Sequence, residues 1–334
     1  MCPSIAVVYN QPDLCHRTPT GEEKAELGVL DEVDAVYQAL AELNYTVTRV
    51  PLLPPLEQAK KKIKTLKADL VFNLFEGFDG CPETEAVIAD ILAETGLPYT
   101  GCPGSALALA LDKARVKALL KTSGINTPCW QVISPDTLHL FNLTFPCIVK
   151  PFAEDASHGL SADSVVKDNA SMKKQVVKIS QLFGGKALVE KFIDGREFNV
   201  TVMGNSKLTV LPISEIIYSL PPGVSRILTF SSKWEPQSIE FECTKVACPA
   251  EIDAKLRQNI TEIVLSTFRL VGCCGYARLD IRLNTEGQPE VIEVNPNPDI
   301  SPGSGAARQA QAAGMTYNQF IENIALLALE RIQR

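Results

Sequence analysis

The stretch that most constrains this chain runs from Gly275 to Asn295 and continues to Ser304. Residues 275–283 (Gly-Tyr-Ala-Arg-Leu-Asp-Ile-Arg-Leu) and 288–295 (Gln-Pro-Glu-Val-Ile-Glu-Val-Asn) alternate apolar with polar side chains, the pattern of strands with one buried face. The short turn between them carries Gly287, so the two arms predict a hairpin closed around Thr285–Gln288. That closure sets Asp280 opposite Glu293 and Arg278 opposite Asn295. All four share a face, because side chains two apart on a strand point the same way. Two carboxylates and a carboxamide are hard oxygen donors that suit Mg²⁺, and an adjacent arginine suits an anion or a developing negative charge. The bland alternative is a surface hairpin with charges on its wet face. The segment beyond the second arm favours a ligand-contacting loop instead: Asn295-Pro-Asn-Pro-Asp-Ile-Ser-Pro-Gly-Ser304 is polar and proline-locked.

The first hundred residues alternate predicted strands (4–9, 45–50, 69–74) with predicted helices (22–43, 56–66, 83–95). Such alternation implies a parallel sheet flanked by helices, with ligands beyond the carboxyl ends of its strands. Two loops there draw notice, Gln11–Thr20 and Phe75–Gly80. The remainder mixes hairpins with helices, an α+β pattern. Helices are predicted over 105–123, 168–183, 252–270 and 316–334, and strands over 130–133, 145–150, 186–192, 198–203, 207–213 and 225–230. Lys233-Trp234 falls in an expected exposed linker. Lys150 closes the apolar run Cys-Ile-Val, so a buried strand delivers an ammonium group to its end.

Composition removes several classes. The chain has 334 residues, enough for two or three domains, and a formal net charge of −7, which does not suggest a nucleic-acid partner. Lys60, Lys61, Lys62 and Lys64 read as the wet face of one helix. The N-terminus reads as a first strand and not a signal peptide, and no apolar run approaches the roughly 20 residues that span a bilayer. The ten cysteines include no Cys-x-x-Cys pair, so mostly buried thiols in a reducing cytosol are expected. No Walker A motif is present; Gly184-Gly185 and Gly77-x-x-Gly80 read as turns. Lys113, Lys150 and Arg278, together with Asp280, Glu293 and Asn295, compose a triphosphate–Mg²⁺ site, since phosphoryl transfer needs mainly positioning and charge neutralisation.

These residues, in order along nearly the whole chain, resemble the ATP-grasp superfamily and within it the D-alanine–D-alanine ligases. The resemblance rests on Leu97-Pro-Tyr-Thr-Gly101, Leu111-Asp-Lys113, Ile148-Val-Lys-Pro151, Leu188-Val-Glu-Lys191, Gly195-Arg-Glu-Phe198, Ala277-Arg-Leu-Asp280, Ile292-Glu-Val-Asn295 and Ala312-Ala-Gly-Met-Thr-Tyr317. It implies an ATP-grasp fold of three α/β and α+β domains (1–103, 104–190 and 191–334), with ATP between the central and C-terminal ones. It implies that Lys113 and Lys150 hold ATP phosphates and that Glu190, Lys191, Phe192 and Ile193 form a hinge against adenine. Glu197 would bind the ribose hydroxyls, and Lys233 would reach the transferred phosphate. Asp280, Glu293 and Asn295 would hold Mg²⁺, with Mn²⁺ as an alternative ion. Arg278 would steady the tetrahedral intermediate and Ser304 would touch the acceptor. The implied reaction is ADP-forming amide synthesis through an acyl phosphate, from a small carboxylate and a small amine. The cysteine pattern and the lack of a spanning apolar run lead to the expectation of a cytoplasmic enzyme with no membrane partner, and a homodimer through the N-terminal domain fits the resemblance.

The departures lie on the amino-acid side. Where the family carries a glutamate-bearing loop after its first strand, this chain has Asn10-Gln-Pro-Asp-Leu-Cys-His16. The loop after the third strand is Leu74-Phe-Glu-Gly-Phe-Asp-Gly80, which makes Glu76 a candidate substrate contact. In Glu154-Asp-Ala-Ser-His-Gly159 one of the family's two serines is Ala156; the other, Ser157, is a candidate catalytic residue. His158 beside it is a candidate substrate residue, read as a phosphate contact or acid–base group or else as a structural or variable loop residue. The family's Lys-Tyr pair is Lys233-Trp234, and its motif glycine is Asp299, so Trp234 and Asp299 join the candidate substrate residues. Missing hydroxyl and carboxylate groups change substrate discrimination by several kcal/mol. The expectation is therefore a ligase for an amino-acid-like substrate. The alternatives are a true D-alanine–D-alanine ligase of peptidoglycan synthesis and a nucleotide-binding regulator that has lost ligation.

Overall fold

The computed structural model describes residues 3–12, 23–78, 81–152, 159–235 and 237–331, and the side chains of 23–27, 230 and 234 lie outside that description. Ser157 and His158 fall outside it, as does most of the Gln11–Thr20 loop.

The apolar runs at the N-terminus become β1 (Ser4–Asn10), β2 (Thr46–Leu52) and β3 (Leu70–Leu74), paired in parallel in the order β2-β1-β3. Helix α1 (Glu23–Glu42) links β1 to β2 and α2 (Leu56–Lys64) links β2 to β3, as parallel pairing requires, and α3 (Thr84–Glu94) follows β3. On α2 the basic run faces outward while Ala59 and Ile63 are buried.

The predicted helix 105–123 is two helices, α4 (Gly104–Leu111) and α5 (Lys113–Thr122). Asp112 breaks the run: it leaves the helical region at φ −86°, ψ 81°, and its carboxylate accepts from the Arg115 amide at 2.9 Å. An aspartate favours the N-cap over a helix interior, which is the physical reason for the break. The break has a consequence for the site, because it puts Lys113 at the first position of α5.

Next come β4 (Trp130–Ile133), β5 (Cys147–Pro151), β6 (Val165–Val166), α6 (Asn169–Phe183) and β7 (Ala187–Lys191). The strands form a four-stranded antiparallel sheet ordered β4-β7-β5-β6, packed on α6 through Met172, Val176 and Ile179.

The last sheet is built from β8 (Glu197–Gly204), β9 (Leu208–Val210), β10 (Ser214–Tyr218), β11 (Thr244–Ala247), β12 (Gly275–Leu283) and β13 (Pro289–Pro296), with core order β11-β10-β8-β12-β13 and β9 on β8. Two short helices, α7 (Phe230–Trp234) and α8 (Ile239–Glu242), interrupt it, and α9 (Ala254–Val271), α10 (Gly305–Ala312) and α11 (Tyr317–Glu330) cover it. The predicted strand 225–230 is not a strand: Thr229 accepts from the Ser232 amide and starts α7 instead. Lys233 accordingly sits on a helix, half-buried, and not in an exposed linker.

Beyond a bulge at Asp280/Ile281 the hairpin has the expected pairs, Arg278 against Asn295 and Asp280 against Glu293; beside the turn the register is one residue off the expected closure, with Leu283 against Pro289. One apolar core joins α1, β1 and β3 to α10 and α11, so the N-terminal sheet and the C-terminal helices are packed as one layer. Close approach of backbone segments demands glycine at Gly195, where an added Cβ would lie 1.8 Å from the Leu283 carbonyl oxygen. Among the described cysteines only Cys102, Cys147 and Cys273 are buried and Cys129 is exposed, so "mostly buried" was too strong an expectation; Cys129 lies outside the strands just before β4. No described helix is long and apolar enough to cross a membrane.

Candidate active site

The three strands β8, β12 and β13 place one row of polar side chains on a common face. Register pairs Asp280 with Asn199 of β8 and with Glu293 of β13, and pairs Arg282 with Glu197. Asp280 accepts from Arg278 Nε at 2.9 Å, from Asn199 Nδ2 at 2.6 Å and from Asn295 Nδ2 at 3.2 Å. Glu293 meets Lys113 Nζ at 2.8 Å. Residues that the hairpin pattern singled out are therefore brought together with the lysine at the head of α5.

A second ion cluster adjoins the first. Glu190, 1% exposed, lies 2.8 Å from Lys117 Nζ and 2.9 Å from Lys150 Nζ. Lys117 also donates to Thr127 Oγ1 at 2.9 Å, which in turn donates to the Val291 carbonyl. Burial works against ionisation of Glu190, yet the two ammonium groups hold its carboxyl below the ordinary carboxylate value. Burial likewise opposes Glu293, but Lys113, Lys150 and Arg278 bring it down to about 2. On Lys117 the balance is reversed: burial lowers the ammonium against the pull of Glu190. Lys233 is lowered too, by burial and by Arg278, although Asp280, Glu293 and Glu197 attract it; α7 thus holds an amine over this strip.

Five cationic groups (Lys113, Lys117, Lys150, Lys233, Arg278) face three carboxylates (Glu190, Glu293, Asp280), leaving two positive charges in a chain whose formal net charge is −7. A local excess of that sign suits a polyphosphate. Asp280, Glu293 and Asn295 supply the hard oxygens that a divalent cation takes alongside phosphate oxygens. The residues present fit both groups.

The segment 190–193 behaves unevenly. Glu190 turns inward to its lysines, and Lys191 donates to the Thr144 and Phe145 carbonyls at 3.1 and 3.0 Å. The Ile193 carbonyl accepts from Arg282 at 2.6 Å. Glu197 is 9% exposed and is held through Oε2 by Tyr218 and Arg282.

On the far side, three carboxylates converge where the N-terminal sheet meets the loop after β13. Glu32 is 4% exposed and accepts from the Ile300 amide at 2.7 Å. Burial, then Glu76 and Asp299, push its carboxyl well above the usual range. Burial by the surrounding protein and the Asp299 charge raise Glu76 to about 7, although its side chain remains open to solvent. Asp299 is exposed and accepts from the Ser301 amide at 2.8 Å. Ser304 caps α10, its hydroxyl accepting from the Ala307 amide at 3.2 Å, and the Cβ that Gly305 lacks would lie 3.9 Å from Arg278 Cδ. Gln309 anchors that helix on β8 by accepting from the Thr201 amide and donating to the Asn199 carbonyl.

Glu32 gives a pH-dependent prediction. Its folded pKa is raised, so the native state is penalised above that pKa and relieved as pH falls towards the unfolded value. Glu32→Gln should raise the melting temperature at pH 8 by a few degrees, on the order of 1–2 kcal/mol, and the gain should vanish near pH 4. Paired melts at the two pH values check it; an equal gain at both would mean the carboxylate is not the cause.

Sequence reasoning missed Lys117, Arg282, Tyr218, Asn199 and Glu32. Two carried a readable signal. Lys117 is four residues after Lys113, on the same helix face, and Arg282 is two after Asp280, on the same strand face. Tyr218, Asn199 and Glu32 arrive through tertiary pairing and left no local mark.

Comparison with known proteins identifies the family and the fold. Residues 119–326 match the family model of the D-ala D-ala ligase C-terminus. The chain is 36% identical over 262 residues to the uncharacterised protein y4sG of Sinorhizobium fredii, covering 78% of this chain and 75% of that protein. It is 30% identical over 279 residues to the D-alanine–D-alanine ligase of Alcanivorax borkumensis, covering 83% of each. Its fold superposes on the D-alanine–D-alanine ligase from Bacillus anthracis complexed with ATP with a TM-score of 0.76, at 20% identity, over 100% of this chain and 99% of that one. VanG D-Ala:D-Ser ligase from Enterococcus faecalis gives 0.73, also at 20% identity, over 98% and 100%. The chain belongs to the D-alanine–D-alanine ligase family, has the ATP-grasp fold, and is an ATP-dependent, ADP-forming carbon–nitrogen ligase.

Proposed function

We propose that this enzyme joins an amino-acid-like carboxylate to an amine through an acyl phosphate, and that its donor is not D-alanine. The observation that carries the ligase reading is the continuous strip from Lys117 through Glu190, Lys150, Lys113, Glu293 and Asp280 to Arg278, with an acidic wall of Glu32, Glu76 and Asp299 beyond it; the donor assignment rests on the departures from the family's motifs at Asn10–His16, Ala156 and Asp299. Lys113 and Lys150 hold phosphate oxygens. Asp280, Glu293 and Asn295 hold Mg²⁺, which when bound neutralises phosphate charge. Lys233 contacts the transferred phosphoryl group from α7.

The donor carboxylate attacks the terminal phosphorus, the bond to the bridging oxygen breaks, and ADP leaves. The acceptor amine then attacks the acyl carbon, phosphate leaves and the amine loses a proton. Arg278 faces the oxyanion of that second step, and a guanidinium placed where charge develops lowers the barrier. Ser304, at the N-terminus of α10 beside Arg278, offers a hydroxyl to the acceptor's carboxylate. The acidic wall suits an ammonium group on a substrate. The division 1–103, 104–190 and 191–334, with nucleotide between the second and third parts, is part of the same reading; the change of sheet between β7 and β8 supports the later boundary.

Hydroxylamine trapping tests the donor. With ATP·Mg²⁺ and single amino acids, the true donor should yield a hydroxamate whose mass identifies it. Formation of D-alanyl hydroxamate in preference to all others would overturn the donor assignment and leave a D-alanine–D-alanine ligase.

A further inference from the structure

Arg282 has no part in the phosphate strip, yet it is 5% exposed and satisfies three separate segments. It follows Asp280 by two positions on β12 and lies directly across from Glu197 on β8. Its Nη1 donates to the Ile193 carbonyl at 2.6 Å, and its Nη2 donates to Glu197 Oε2 and to the Arg226 carbonyl. Its Cζ lies 5.5 Å from the Phe192 ring centroid and 5.9 Å from that of Tyr218. Tyr218 donates to the same Oε2 at 2.7 Å. Two donors thus share one carboxylate oxygen, and Oε1 has no protein hydrogen-bond donor among the described residues. A carboxylate oxygen accepts about two hydrogen bonds, so Oε2 is filled and Oε1 is not.

The Arg226 segment is fastened a second time. Arg226 Nε donates to Asp194 Oδ1 at 2.9 Å and Nη2 donates to the Asp194 carbonyl at 2.7 Å. Lys233 is seven residues further along the same segment. One buried guanidinium therefore links the hinge, the carboxylate beside it and the chain that leads to Lys233.

We infer that Arg282 is a positioning residue for the nucleoside: with Tyr218 it fixes Glu197 so that Oε1 alone faces the ribose hydroxyls, and it pins residues 219–229 beside that subsite. The inference rests on the reading that Glu197 grips the ribose. A carboxylate already held in one rotamer loses little side-chain entropy when it binds, so the effect falls on nucleotide affinity.

Calorimetric titration of the whole protein with ADP·Mg²⁺ and with 2′-deoxyADP·Mg²⁺ reads this without turnover. The unmodified protein should prefer ADP by about tenfold or more. Arg282→Met and Tyr218→Phe should each weaken ADP binding and narrow that preference, Arg282→Lys less so. Combining Arg282→Met with Glu197→Gln should cost no more than Glu197→Gln alone. Melting curves identify any variant that fails to fold; should Arg282→Met be one, Tyr218→Phe decides, because it loosens the same oxygen and keeps the charge. Retention of the full preference in the folded variants would overturn the inference and leave the ligase reading standing. So would tight ADP binding with no ribose preference in the unmodified protein, whereas no ADP binding at all would overturn both.

Discussion

Glu293→Gln is expected to lower kcat/KM by about 10³-fold, a loss of about 4 kcal/mol of transition-state stabilisation. Glu293 pairs with Lys113 and sits opposite Asp280, so its removal takes one of the strip's carboxylates and deprives Lys113 of that counter-charge in the same step. The substitution has a second, independent signature. Lys113, Lys150 and Arg278 overcome burial and hold the folded carboxyl at about 2, below its ordinary 4.5. A depressed carboxylate stabilises the fold above the unfolded pKa and loses that contribution as pH falls through the folded one. The variant should therefore melt below the parent at pH 7, by about 2 kcal/mol after allowance for partial solvent screening, and the gap should narrow below pH 4.5. Steady-state kinetics with melts at both pH values checks the pair. Unchanged kcat/KM would remove Glu293 from the site.

Glu190→Gln is expected to be the most destabilising single change in the cleft, by about 3–5 kcal/mol, because it leaves Lys117 and Lys150 buried against each other without their shared counter-ion. A glutamine fills the same volume, so packing does not confuse the result. Adding Lys117→Met removes one of the two stranded charges and should recover part of the loss; the coupling is non-additive because the groups touch. Denaturant melts of the parent, both single variants and the double variant measure it. Strictly additive losses would mean that the three charges do not act as one unit.

Much of the site was legible because it lies on alternating strands. A period of two puts Arg278 and Asp280 on one face, and the expected partners Asn295 and Glu293 do lie opposite them; the turn itself closes one residue differently, and a bulge on the second arm, which no local pattern marks, restores the pairing. Boundaries that depend on competing local preferences were less legible. Asp112 could sit inside a helix or cap the next one, and capping wins. Thr229 turns a β-like run into the start of α7 for the same reason. Residues delivered by remote pairing were not legible at all. Glu32 is on a helix early in the chain and meets the Ile300 amide 268 positions later. Tyr218 reaches Glu197 only because β10 pairs beside β8.

The central claim, ligation by an ADP-forming route with an amino-acid-like donor other than D-alanine, is tested most directly by product mass and stoichiometry together. The enzyme would be incubated with ATP·Mg²⁺ and a panel of L- and D-amino acids and dipeptides, with ADP, phosphate and organic product quantified. The account predicts one ADP and one phosphate for each new molecule, whose mass equals donor plus acceptor minus water, and a donor other than D-alanine. AMP and pyrophosphate as products would contradict the ADP-forming route. D-alanyl-D-alanine as the sole product would contradict the donor assignment.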